Sequence, residues 1–536
     1  MNMKAPKVYL FFLLVLLLFS FLIRLIGWDD SYFGHQVFNQ LLTLNIIENY
    51  VRDGINLLEP SSYYLRLGGE HHLLELPIYQ ALSAWISGFT KTILATSRGI
   101  NLFFALLTLF VVFRIATTQF NRQIAVYSVL FFAFSPLNLI YQSLVLVEVS
   151  TVFFASLAYL MVAEYIQGKR SKINFFIFLF AGLYSVLAKP LYFLPAGVLF
   201  VTHFLQQWVS PRAKNISDYI IYHRKLIGLF VLITLVMFFW IEVQRQVNVG
   251  SHNSLEYLSL QHLHDIMFYV RIFYRGILLV LNPVTFLFFI FGLLFLFKDH
   301  RGSERMALIY LIIWYHLFFG THVNPHEYYL LIMVPFASVI AGCGANWIEE
   351  KIRKDFDISS KHILSAGIIL IAALCSFFLY SINFIGSLNI EHRTNTIKEE
   401  MRGILEPKNY AYLYIDPTNF PIDDYWVRNR TGKLMYFSGF LSENEIRSQG
   451  DPLVPMELII ALKQYGTFEW VKSGKVPVVN IQEIELMYKK NLRYLMFYRF
   501  KEEIKTTIKK RITGSKLIYD SSNWLIYDLA LDLQKN

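Results

Sequence analysis

Asp29, Asp30, Glu75, Glu148, Lys189, His326 and Glu327 are the residues of this sequence best equipped for chemistry. Each stands at the edge of an apolar run. Ionisable groups at membrane depth are expensive, so a cluster of them on one side is read as functional by default. Carboxylates beside a lysine can take a proton, hold a cation or steady an anion. Taken one at a time, each also fits a satisfied interfacial charge; their convergence is what argues for a site. His322 and His326, four apart, would share one face of a continuous helix, with Glu327 beside them, as in a metal pair. Pro325 interrupts that helix, which favours substrate contact or structural hydrogen bonding. His71 and His72 are adjacent, so their side chains point apart. Cys343 and Cys375 lie in apolar runs and support neither a disulfide framework nor a thiolate metal site. P-loop, Rossmann, HExxH and GxSxG patterns are not found.

The elements that must position these groups are membrane helices. Of 536 residues, 55% are hydrophobic and 17% aromatic, far more apolar surface than one soluble core needs. The net charge of +10 sits in short clusters between apolar runs, a pattern of topology control that argues against a nucleic-acid partner. The first run, 7 to 27, reads as a retained anchor. A large polar loop, 28 to 77, follows it, in which Phe38, Leu41, Leu42, Ile46 and Ile47 recur at helical spacing and predict an interfacial amphipathic helix.

Further runs lie at 76–93, 99–117, 123–142, 145–165, 173–188, 190–208, 225–243, 271–297, 306–321, 328–347 and 362–385. The basic clusters around Lys169, Arg212, Arg224, Lys298 and Lys351 belong inside, and the first loop belongs outside. Only an odd number of crossings satisfies this. The run from Leu76 to Lys91 is therefore expected to be re-entrant or interfacial, leaving about 11 spans in a membrane domain of residues 1–388. Residues 389–536 then form an extracytoplasmic α+β domain, with β-rich runs at 410–415, 493–500 and 517–529 and helices near 396–405 and 456–464. The outer ends of the spans collect the ionisable residues named above.

In order and spacing, several segments resemble the GT-C superfamily of membrane glycosyltransferases, within it the branch of protein O-mannosyltransferases and the lipid A aminoarabinose transferase. The large outer loop follows the first span and ends in Glu75-Leu76-Pro77-Ile78-Tyr79, similar to the family's E-x-P-L-Y segment. SPLNLIYQSLVLVE carries the Ser-Pro and an acid, Glu148; VLAKPLYFLPAG looks like the Lys-Pro segment; and NPHEYYLLIMVPFASVIAG, with His326, Glu327 and Tyr329, looks like the late H-x-Y-Y-L span. The match runs from about Lys7 to Gly342. At one place the chain departs from the pattern: where the branch usually has an Asp-Glu pair, the alignment sets Gly34-His35-Gln36, and Asp29 and Asp30 lie five to six residues earlier.

The resemblance implies transfer of a sugar from a polyprenyl-phosphate donor to a hydroxyl acceptor (glycan, lipid or protein), with inversion. Asp29 or Asp30 is then the expected base. His35, Gln36, Glu75, Glu148, Lys189, His326, Glu327 and Tyr329 are expected to bind substrate, Lys189 facing the phosphate with Arg271 and Arg275 as alternates. Glu75 and Glu148 could orient a substrate or bind a divalent cation. The setting suits a bacterial inner membrane. Two other classes remain in view: a transporter or flippase of lipid-linked glycans, which predicts internal repeats and charges at mid-membrane, and a noncatalytic assembly subunit.

Overall fold

The computed structural model describes residues 5–25, 37–60, 75–209, 216–247, 261–298, 302–323, 326–356 and 363–382, and near the C terminus five strands with Thr506 and Lys509. Contacts divide the chain into two compact units, one of Met1–Val51 with Leu73–Ser387 and one of Arg52–His72 with Leu388–Asn536.

The first unit is helical. It begins with α1 (Ala5–Ile23) and α2 (Val37–Asp53), the latter burying Leu44, Ile46, Ile47 and Tyr50. Next come α3 (Ile78–Thr90) and α4 (Ile93–Gln119). With 13 residues, α3 is about 20 Å long and cannot cross about 30 Å of hydrocarbon. It buries Tyr79, Ser83, Ala84 and Ser87 along one face and leaves Trp85 and Phe89 exposed on the other.

The run 123–142, expected as one helix, is two: α5 (Arg122–Ala133) and α6 (Pro136–Tyr141). Pro136 has no N–H and its ring excludes a preceding helical turn, so α5 ends and Ser135 caps the new start by accepting from the Asn138 N–H. α6 delivers the chain to a short loop and then to α7 (Glu148–Ile166). That loop is tied down from two sides. Asn101 donates to the carbonyls of Leu144 (2.7 Å) and Leu146 (2.9 Å), and the Gln40 side chain accepts from the Val145 N–H (3.2 Å). Arg24, buried just past α1, grips the α5–α6 break through Gln142 and the Ala133 carbonyl (2.7 Å).

Then come α8 (Lys172–Ala188), a 3-10 turn at Pro190–Phe193, α9 (Leu194–Val209), α10 (Ile216–Val247) and α11 (Ile266–Arg275). A π turn, Gly276–Val280, leads to α12 (Pro283–Lys298), and the two arms of this expected single run meet at 113°. The bend forms at Asn282, whose φ of 70° few residue types tolerate as well as asparagine. Its side chain accepts from the Thr285 N–H (2.9 Å) and donates to Ser376 Oγ (2.7 Å), so it caps α12. The unit closes with α13 (Ser303–Val323), a 3-10 stretch (Glu327–Met333), α14 (Val334–Phe356) and α15 (Ile363–Ile382).

Among the described residues, five helices are long and apolar enough to cross a membrane, six if the bent pair counts as one span, and shorter apolar helices lie at Leu13–Ile23, Arg122–Ala133 and Lys172–Ala188. The protein is an integral membrane protein. Glu327–Asp355 and Glu148–Ile166 are the most buried of these helices, whereas Ile220–Gln246 is largely exposed.

The second unit contains a five-stranded sheet of β1 (Tyr410–Ile415), β2 (Met435–Tyr436), β3 (Leu492–Tyr498), β4 (Lys516–Asp520) and β5 (Trp524–Asp528), in the order β2-β1-β3-β5-β4. β1 and β3 are parallel and the other pairs antiparallel. The run expected at 517–529 is thus two antiparallel strands; Ser521, Ser522 and Asn523 between them are turn-forming types. The helices expected near 396–405 and 456–464 lie outside the described residues.

At the centre, α12 and α14 cross with their backbones touching. A Cβ on Gly344 would stand 1.9 Å from the Phe288 carbonyl oxygen, and one on Gly292 1.9 Å from that of Ile340. Small residues permit such an approach. Gly344→Ala is therefore expected to lower stability by about 1–3 kcal/mol or more, seen as a lower thermal midpoint in detergent. Gly367→Ala, inside a helix with nothing within 4 Å, is the control and does not lower the midpoint.

Candidate functional site

Three chain segments distant in sequence meet at the ends of α3, α7 and α8. Pro190 forces the residue before it out of helical conformation, and Lys189 is extended, with φ −145° and ψ 97°. Its backbone is held on both sides: its N–H donates to the Ser185 carbonyl (2.8 Å), and its carbonyl accepts from the Tyr192 N–H (2.9 Å). Two residues earlier, the Leu187 carbonyl accepts from the Leu76 N–H (2.9 Å), pinning the entry to α3 against the end of α8. Glu75 is thereby set beside Lys189.

The Lys189 ammonium lies 3.1 Å from Glu75 Oε2 and 3.5 Å from Glu148 Oε1. These side chains are only 20%, 12% and 4% exposed for lysine, Glu75 and Glu148. The second oxygen of Glu75 accepts from Gln80 Nε2 (2.9 Å). Glu148 Oε2 is buried and has no partner among the described residues. Burial alone would push the Lys189 ammonium down; Glu75 and then Glu148 outweigh it, with Tyr329 and Tyr328 adding to them, and hold it well above the usual lysine range.

Tyrosines wall this trio. Tyr79 donates to the Ser97 carbonyl (2.9 Å), and the Tyr184 hydroxyl meets Ser150 Oγ at 2.7 Å in the first turn of α7. Tyr141, fully buried at the end of α6, donates to Glu327 Oε1 (3.0 Å). Tyr192 donates to the Tyr328 carbonyl (3.3 Å) and Tyr315 to that of Tyr329. The Tyr328 and Tyr329 rings lie 4.5 Å apart, with His326 5.4 Å from Tyr328. Two further residues of the site, Gln80 on α3 beside Glu75 and the buried Arg98 in α4 near Tyr79, were not singled out from sequence. Arg98 stands at the edge of an apolar run, a signal that could have found it.

Of the expected site residues, Glu75, Glu148 and Lys189 are brought together and Tyr329 is near Lys189. Glu327 joins through Tyr141, and His326 packs on the neighbouring rings. Arg275 donates to the Val323 carbonyl (2.5 Å), tying α11 to α13. Asp29, Asp30, His35 and Gln36 lie outside the described residues. α13 ends at Val323 and His326 is extended, so 322 and 326 do not share one helix and the four-residue spacing loses its meaning as a metal pair. Among the described residues, no group of three or more His, Cys, Asp or Glu side chains is placed to hold a metal. Glu75 and Glu148 both turn toward the Lys189 ammonium.

No protein-family model matches the sequence, and no curated protein matches it. Solved structures do. ArnT from Cupriavidus metallidurans bound to undecaprenyl phosphate superposes with a TM-score of 0.60 at 10% identity over 99% of both chains. The oligosaccharyltransferase of Archaeoglobus fulgidus in the apo form gives 0.52 at 14% identity over 91% of this chain and 69% of that one. The arabinofuranosyltransferase AftD from Mycobacteria gives 0.50 at 13% identity over 96% and 41%. At these identities the likeness is one of fold.

Removing one partner of a buried ion pair leaves the other uncompensated. Lys189→Met is expected to lower stability by about 3–5 kcal/mol. Tyr141→Phe, which loses one hydrogen bond to Glu327, should lower it by about 1–2 kcal/mol. Thermal unfolding in detergent reads both.

Proposed function

We propose that this integral membrane protein, which has the GT-C fold, is a glycosyltransferase moving a sugar from a polyprenyl-phosphate donor to a hydroxyl acceptor on the outer face of the membrane, with inversion. The observation that carries this reading is the buried Glu75–Lys189–Glu148 trio, set at helix ends under a wall of tyrosines. A structural pair would serve as well with one carboxylate. Two carboxylates on one ammonium, one of them with an unpartnered buried oxygen, offer a cation for a phosphate oxygen and an acceptor that can orient a substrate hydroxyl.

A lipid donor is supported by a second feature. A cavity of ≈ 1010 Å³ opens where α11 bends into α12, lined by Phe268, Ile277, Leu281, Ile313, Leu330 and Ala337 among other apolar side chains. Its inner wall belongs to the same 3-10 stretch that carries Glu327 and Tyr329. The similar ArnT structure holds undecaprenyl phosphate, a ligand of the polarity such a cavity suits.

In the proposed reaction, a carboxylate takes the proton of the acceptor hydroxyl as its oxygen attacks the anomeric carbon. The bond from that carbon to the phosphate oxygen breaks, and the polyprenyl phosphate leaves with the electron pair. Asp29 or Asp30 is the proposed base. Lys189 has three N–H donors, two turned toward carboxylates, and the third is proposed to meet a phosphate oxygen. Arg271 and Arg275, on α11 beside the cavity, are the alternates. Glu75, Glu148, His326, Glu327 and Tyr329 are proposed to orient the substrates, as are His35 and Gln36. The proposal includes eleven spans and a C-terminal domain outside the cytoplasm, in a bacterial inner membrane.

The test is transfer of labelled sugar from a polyprenyl-phosphate donor by Asp29→Ala, Asp30→Ala, Glu75→Ala and Glu148→Ala proteins in membranes. Loss of the base is expected to slow turnover by about 10²–10⁴-fold. Undiminished transfer by all four variants would overturn the enzyme reading in favour of a carrier or an assembly subunit.

A further inference from the structure

We infer that Lys189 is a tethered cation that takes the place of a divalent metal between Glu75 and Glu148, so that these carboxylates acquire a metal ion only when the lysine is removed. The inference concerns the site proposed above, but rests on that reading only for its functional meaning.

Divalent cations need several oxygen ligands at about 2.0–2.6 Å. Among the described residues Glu75 and Glu148 are the carboxylates gathered here, and both turn toward Nζ of Lys189, at 3.1 and 3.5 Å. An ion bridging them would stand against a fixed positive charge. One oxygen of each acid faces the lysine, the other oxygen of Glu75 already accepts from Gln80, and Glu148 Oε2 has no partner among the described residues.

The lysine cannot easily step aside. Its backbone N–H and carbonyl are both bonded, Pro190 fixes its extended conformation, and its side chain is largely enclosed. The electrostatics agree with the geometry, because the two carboxylates hold the ammonium in its charged form. A tethered ammonium supplies one charge where a divalent ion supplies two, together with N–H donors where the ion has empty coordination positions. Removing Lys189 leaves two neighbouring carboxylates with no cation between them, which is what a divalent ion seeks.

The experiment uses the full chain in lipid nanodiscs, stripped with chelator and titrated with Mn²⁺, free ion being read from its EPR signal. The proteins are wild type, Glu75→Gln/Glu148→Gln, Lys189→Ala, and Lys189→Ala combined with Glu75→Gln and Glu148→Gln. Wild type is expected to bind no more Mn²⁺ than the double Gln variant. Lys189→Ala is expected to gain one equivalent, lost again in the triple variant. Mn²⁺ bound by wild type but not by the double Gln variant would overturn the inference, as would a folded Lys189→Ala protein that gains none. Should Lys189→Ala fail to fold by gel filtration, Lys189→Gln takes its place, and a folded Lys189→Gln protein that gains no Mn²⁺ overturns the inference. The titration has no sugar-transfer step, so its outcome and that of the transfer assay are independent.

Discussion

A buried ammonium shared by two carboxylates is the constraint on which the rest of this protein depends. A charge this enclosed is tolerated only when paired, so the entry to α3, the start of α7 and the end of α8 must arrive at one point. The structure contains devices that secure this arrival. The Leu76 to Leu187 hydrogen bond clasps two of the segments. Asn101 and Gln40 fasten the loop before Glu148, and Arg24 fastens the helix break upstream of it. None of these side chains belongs to the trio, yet each fixes where one of its members begins.

The functional groups also share a position relative to helix breaks. Pro77 precedes α3, Pro136 begins the short helix that ends in Tyr141, and Pro190 follows Lys189. Breaks expose backbone N–H and carbonyl groups, and at membrane depth that is allowed only inside protein or along a cavity. The same irregularity turns a side chain away from the stacked faces of a regular helix. The bend at Asn282 obeys this rule: it lies between α11 and α12, at the apolar cavity. Around these breaks the centre is closely packed, with α12 and α14 meeting backbone to backbone at Gly292 and Gly344.

Much of the site was legible in the sequence because its members are rare residue types for their surroundings. Glu75, Glu148 and Lys189 stood out as charges at the edges of apolar runs. Tyr141 and Gln80 did not, since a tyrosine or glutamine near a membrane helix is ordinary and only its partner gives it a role. Hydropathy found the apolar runs but joined α5 to α6 and α11 to α12. A window average cannot register a break made by one Ser-Pro or Asn-Pro pair within a continuously apolar stretch.

The sequence alone determined that the chain is an α-helical membrane protein with a long polar loop after its first apolar run, a β-containing C-terminal region and a set of ionisable groups near the ends of apolar runs. Those properties follow from side-chain type and spacing along one dimension. Only the tertiary structure decided that a lysine and two glutamates from residues 75, 148 and 189 share one buried point, and that the lysine faces both acids at once. Pairing distance is a property of three-dimensional packing, and segments about 40 to 110 residues apart have no local periodicity that could encode it.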